Sequence, residues 1–91
     1  MGNVILTIQI MPVSPETDLN KILEEAKKFA EEFKYHFAKS EEVPLAFGLK
    51  SLNITISYDE KRGGSDEFEE KLRAIDGVNS VEVIDARRAF G

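Results

Sequence analysis

Two strand-like segments, two helical stripes and the turn residues between them predict an α+β fold for this 91-residue chain. The order is β-α-β-β-α-β, with two helices on one face of a four-stranded antiparallel sheet, the ferredoxin-like plan. From Asn3 to Met11, Val4, Leu6, Ile8 and Ile10 share one side of a strand, and Ile5, Thr7 and Gln9 the other. From Lys50 to Tyr58 the same alternation sets Leu52, Ile54, Ile56 and Tyr58 against Ser51, Asn53, Thr55 and Ser57. Strands one and three are central in such a sheet, so their apolar sides face the helices and their polar sides form the open face.

The other elements follow in order. Pro12 and Pro15 bar the first strand from continuing, because proline cannot donate to a ladder. Thr17-Asp18 offers an N-cap, and the acids Glu16 and Asp18 suit the positive end of a helix. Leu19, Ile22, Leu23, Ala26, Phe29, Ala30 and Phe33 then recur at helical spacing, leaving Glu24, Glu25, Lys27, Lys28, Glu31 and Glu32 on the wet side. Lys34 to Glu42 is a weaker strand; Tyr35 and Phe37 alternate with His36, as on a partly exposed edge. "YDEKRGGSD" is a loop, Ser65 an N-cap, and Phe68, Leu72 and Ile75 mark a second, shorter helix. Gly77 is placed to end that helix as a left-handed cap. Val81, Val83 and Ile84 make the last strand, and "DARRAFG" is a tail.

Composition narrows the function. Ninety-one residues, 42% apolar and 32% charged, make one globular domain (1–91) with a core of its own. Without cysteine there is neither a disulfide framework nor a thiolate nucleophile. The N-terminus has no basic region and runs straight into strand alternation, so it is read as a strand rather than a signal peptide. No apolar run approaches the ~18 residues of a membrane span, and the expected location is cytoplasmic. A net charge of −5 repels phosphate backbones and welcomes a basic protein partner. The open face also lacks the aromatics on which an RNA-recognition module stacks bases. A metal-transfer module of this topology would need a cysteine pair. No cofactor and no resident metal are expected.

Individual candidates are few. His36, the single histidine, has no nucleophile or second histidine beside it and reads as a surface residue. Asp59, Glu60 and Asp66 could hold a hard cation, although their spacing matches no EF-hand loop. "RGGSD", Arg62 to Asp66, matches no phosphate-binding fingerprint and reads as a turn needing positive φ. Arg87-Arg88 is a basic pair in an acidic chain: either a solvated tail paired with Asp85, or a positive tip aimed at an anionic group or a GTPase. Most unusual is the start of "PLAFGLKSLNITI", where Leu45-Ala46-Phe47-Gly48-Leu49 is apolar without a usable period. Leu45, Phe47 and Leu49 could bend inward to cap the core, but Pro44 and Gly48 prevent a regular helix from gathering all three on one face. Two of them could do so, and an exposed aromatic beside a glycine is expected as a docking anchor.

That stretch resembles the strand-entry motif of the guanine-nucleotide-exchange domain of elongation factor 1-beta, through Pro44, Ala46, Phe47, Gly48, Leu49, Lys50 and Leu52. "MGNVILTIQIMPVSPETDL", the "GG" before the second helix, "IDGVNSVEV" and the closing Asp85, Arg87, Arg88 and Gly91 resemble the archaeal branch of the same family. The resemblance implies a ferredoxin-like fold and a factor that speeds GDP release from the GTPase elongation factor 1-alpha. It implies no active site of its own. It places the family's docking aromatic at Phe47, with Ala46, Gly48 and Lys50 around it and Arg87 and Arg88 as further contacts. Eukaryotic members end in a tail whose lysine reaches the GTPase's magnesium site; here that position falls at Gly91, so Arg87 or Arg88 would stand in, or displacement of the switch regions would suffice. A second basic residue often follows Lys50 in the family; here it is Ser51. The expected state is a monomer. An ACT-like regulatory domain binding a small ligand, or a protein-interaction module unrelated to GTPases, would share the topology.

Overall fold

The computed structural model describes residues 2–90, with side chains through 88. Its elements come in the expected order: β1 (Gly2–Pro12), α1 (Leu19–Glu32), β2 (His36–Pro44), β3 (Lys50–Asp59), α2 (Asp66–Arg73) and β4 (Val78–Phe90), with a tight turn before β3 and a short 3₁₀ turn after it. The strands form one antiparallel sheet in the order β2-β3-β1-β4. The molecule measures 42 × 22 × 17 Å. Its long dimension matches the span of β4, whose 13 residues extend about 44 Å at ~3.4 Å each.

The core rests on the β1–β3 pair. Leu6 lies opposite Ile56, Ile8 opposite Ile54 and Ile10 opposite Leu52, and all six are buried. α1 lays Ile22, Ala26 and Ala30 onto this floor, with Leu19, Leu23, Phe29 and Phe33 partly buried around them. The two alanines let its backbone approach the sheet closely. α2 adds Phe68 and Leu72, and Ile75 packs just beyond its end. At one end of the sheet the aromatic rings interlock. Tyr35 stacks on Tyr58 at 4.7 Å, Phe68 meets Tyr35 edge-on at 5.1 Å, and the Arg62 guanidinium lies 4.8 Å above the Tyr35 ring. Burial pushes both phenols above the usual tyrosine range, and for Tyr35 the neighbouring Tyr58 adds to it.

Helix ends show how local chemistry was resolved. Asp18 is the N-cap of α1, accepting from the N–H groups of Asn20 (3.0 Å) and Lys21 (3.3 Å), as expected. The far end closes as a Schellman turn: Lys34 N–H donates to Glu31 O and Tyr35 N–H to Ala30 O. Lys34, not glycine, takes the left-handed position, at φ 60°. Ser65 precedes α2 as expected, but its hydroxyl donates to Glu69 Oε2 at 2.6 Å and caps no backbone N–H.

Four expectations need correction. "DARRAFG" is not a tail: β4 continues to Phe90, because β1 extends to Gly2 and offers it a partner along the whole length. Gly77 has the expected positive φ, 93°, but does not cap α2, which ends at Arg73 with Ala74 as its C-cap. Gly77 instead sits in the turn that Val78 N–H closes onto Ile75 O. Tyr35 is not an edge-strand residue; it precedes β2 and points into the core. Ser51, on the open face by alternation, is fully buried, its Oγ donating to Asn53 Oδ1 at 3.1 Å. Both edge strands carry a bulge, at Ala38 in β2 and at Ile84 in β4, where the register shifts by one residue.

Gly77 also makes a close approach: a Cβ there would lie 2.9 Å from the Thr17 methyl, in the loop between β1 and α1. Gly77→Ala combines that clash with left-handed strain of about 1–2 kcal/mol. It is expected to cost about 2 kcal/mol or more, seen as a lower midpoint in urea denaturation with an unchanged slope.

Candidate functional site

The β2–β3 hairpin is built to hold up one side chain. Its last strand pair is Pro44 with Lys50; beyond it Leu45 N–H donates to Leu49 O at 2.7 Å, and Leu49 N–H to Ala46 O at 3.3 Å. Phe47 has φ 61° and ψ 30°, and Gly48 follows with φ 76°. Two successive left-handed residues between Ala46 and Leu49 make a type I′ turn, whose twist matches that of the flanking strands. The first central position of such a turn ordinarily holds Asn, Asp or Gly; here it holds phenylalanine. The ring is 96% exposed. Phe47 is thus unfavourable twice over in the free chain, in its backbone and in its exposed surface.

Its neighbours keep the approach open. Ala46 and Gly48 are exposed, and nothing lies within 4 Å of where a Cβ on Gly48 would stand. Lys50 Nζ is 3.9 Å from Glu42 Oε1, an exposed and weak pair that leaves the ammonium available. Leu45 is at the border of exposure and Leu49 half-buried. The aromatic is exposed as expected, and neither leucine packs into the core cluster.

Arg87 and Arg88 are elsewhere. They lie in β4 opposite Ile5 and Val4 of β1, and Val4 in turn faces Tyr58 of β3. Along β3, Tyr58 is eight residues from Lys50, or about 27 Å at ~3.4 Å per residue. The sequence groups Phe47 and the arginines as one partner-binding set; the sheet puts them at opposite ends. Both arginines are held: Arg87 Nε donates to Asp85 Oδ2 at 2.9 Å, and an Arg88 terminal nitrogen lies 3.0 Å from Glu60 Oε2. The Asp85 pairing was legible two residues away in the sequence. The Glu60 pairing was not, since it needs the β3–β1–β4 register to bring the two together. Gly91, the position aligned with the eukaryotic lysine, lies outside the described residues.

The acidic loop does not converge. Asp59 Oδ1 accepts the Lys61 N–H at 2.9 Å, Glu60 faces Arg88, and Asp66 opens α2. Among the described residues no cluster of three or more His, Cys, Asp or Glu side chains could hold a metal ion. Gly63 takes positive φ, 86°, as the turn reading requires. His36 is exposed on edge strand β2, opposite Ser57.

The family model described as the EF-1 guanine nucleotide exchange domain matches residues 5–88, spanning both the hairpin tip and the arginine pair. The chain belongs to this exchange-domain family. Proteins named elongation factor 1-beta are similar over nearly their full length. That of Methanothermobacter thermautotrophicus is 40% identical over 97% of this chain and 98% of its own. That of Methanosphaera stadtmanae is 42% identical over 97% and 98%. Among solved structures, the ACT domain from GTP pyrophosphokinase of Chlorobium tepidum superposes with a TM-score of 0.63 at 16% identity, covering 90% of this chain and 99% of that one. The C-terminal domain of MgtC from Mycobacterium tuberculosis gives 0.64 at 9% identity, covering 96% and 87%. These two likenesses are of fold alone and agree with the ferredoxin-like plan. No helix is long and apolar enough to cross a membrane among the described residues.

The exchange-domain hairpin yields a stability test. Phe47→Asn creates Asn-Gly, the pair most favoured in type I′ turns, and gives up a ring that packs on nothing. Stability is expected to rise by about 0.5–1 kcal/mol, read from the urea midpoint.

Proposed function

We propose that this chain is a guanine-nucleotide exchange factor for the translation GTPase elongation factor 1-alpha, acting as a monomer in the cytoplasm. The observation that carries the reading is Phe47: an aromatic held out, almost wholly exposed, on a strained hairpin turn at the family's docking position. Residues kept in sparsely populated conformations with no gain in the free chain are characteristic of binding clamps. Family membership supplies the partner class.

Exchange of this kind needs no bond-making residue. A GTPase holds its nucleotide through phosphate-loop amides, a lysine and a magnesium ion. A factor that binds the nucleotide-free state more tightly weakens nucleotide binding by the same factor by which nucleotide weakens its own. Each ~1.4 kcal/mol of such coupling is worth about tenfold. Phe47 would supply affinity by entering an apolar recess, with Lys50 beside it. Arg87 or Arg88, at the other end of the sheet, would present positive charge near the phosphate and magnesium site. For Arg88 that means leaving Glu60, an exchange of one ion pair for another. The two ends then contact separate regions of the GTPase, and their separation along the sheet sets the spacing. The likeness to ACT domains is one of fold and brings no ligand to this chain.

The test is release of fluorescent GDP from elongation factor 1-alpha on mixing with this protein. Wild type is expected to accelerate release. Phe47→Ala is expected to weaken binding by about 30- to 1,000-fold, the range for a buried hot-spot aromatic, with an unchanged melting curve. A lowered melting temperature with activity per folded molecule retained would assign Phe47 to the fold instead.

Arg87→Ala/Arg88→Ala is expected to slow release at saturating concentration, while stability falls by about 1 kcal/mol for the lost pairs with Asp85 and Glu60. Unchanged release from the double variant would remove the arginines from the mechanism.

A further inference from the structure

Besides Phe47, three large hydrophobic side chains are left exposed among the described residues: Val13 at 61%, Ile84 at 47% and Leu45 at 36%. Ile84 is the bulge residue of β4. Val13 and Leu45 are at the Phe47 end. The β1–β3 ladder ends where Ile10 pairs with Leu52, two residues from the start of β3 at Lys50; β1 stays paired with β4 as far as Pro12, and Val13 is the first residue past it. A hollow of about 250 Å³ joins the two segments; Pro12, Ser14 and Pro15 line it from Val13's loop, and Glu42, Gly48 and Lys50 from the hairpin.

Val13's loop is held firmly. Val13 N–H donates to Gly77 O at 2.9 Å, Ser14 N–H to Thr17 Oγ1 at 3.3 Å, and Thr17 N–H to Ser14 O at 3.2 Å. Pro12 and Pro15 stiffen it on either side. An apolar side chain fixed outward on such a loop loses little conformational freedom on binding. The charges at the hollow are largely engaged: the Asp18 carboxylate caps α1, and Glu42 pairs weakly with Lys50.

We infer that Val13 is a second docking anchor, gripping together with Phe47 the same GTPase at the hairpin end of the sheet; the inference rests on the exchange reading above. The matching partner surface carries two apolar recesses.

Three proteins are compared in the fluorescent-GDP assay over a range of concentrations, each with a thermal melt: wild type, Phe47→Ala and Val13→Ser. Val13→Ser is expected to melt like wild type, to need about tenfold more protein for half-maximal acceleration, and to reach the wild-type rate at saturation. Val13→Leu, which restores apolar surface, is expected to recover the wild-type concentration dependence. If Val13→Ser matches wild type while Phe47→Ala is impaired, the second anchor is refuted and the exchange reading stands. If wild type itself fails to accelerate release, the exchange reading fails and the second anchor with it. A lowered melt with full activity per folded molecule would make Val13 a structural residue and overturn the inference.

Discussion

Leu6 against Ile56, Ile8 against Ile54 and Ile10 against Leu52 form the contact from which the rest of the structure follows. A slip of one residue between β1 and β3 would turn every one of these side chains to the open face. The same register decides where the hairpin tip and the arginine pair emerge. It fixes how far the hairpin runs beyond the helices, and it carries β4 along β1 until Arg88 reaches Glu60. The spacing between the aromatic tip and the arginines is therefore set by the core, over strands rather than flexible loops.

The two ends of the sheet are stabilised differently. At the arginine end, Tyr35, Tyr58, Phe33 and Phe68 interlock under Arg62, and charge is neutralised locally. At the hairpin end there is little to hold the tip except its two cross-hairpin backbone bonds and the turn geometry. Left-handed phenylalanine works against that geometry by about 1–2 kcal/mol. The stability of the core tolerates this because the cost is confined to one turn.

Much of this was legible in the sequence because it depended on periodicity. The alternation of β1 and β3 and the apolar stripe of α1 needed no tertiary information, and Pro44, Phe47 and Gly48 marked a tip that could not be regular. What was not legible depended on partners distant in the chain. "DARRAFG" has no strand alternation of its own and becomes one because β1 lies beside it. Tyr35 looks like an edge residue until the Schellman turn at Lys34 swings it under the sheet. Gly77 carries the conformation expected of a cap, but its place is dictated by the Thr17 methyl against it. The separation of Phe47 from the arginines is a property of sheet order, which no local motif encodes.

The two outer strands are irregular, β2 at Ala38 and β4 at Ile84 and again at Asn79. An outer strand presents unpaired N–H and C=O groups that a second molecule can zip onto. A bulge breaks the repeat of those groups and twists the strand locally, so another copy aligned with the first half falls out of step with the second. The hairpin can thus keep a bare phenylalanine at its end while the outer strands behind it resist zipping onto another copy.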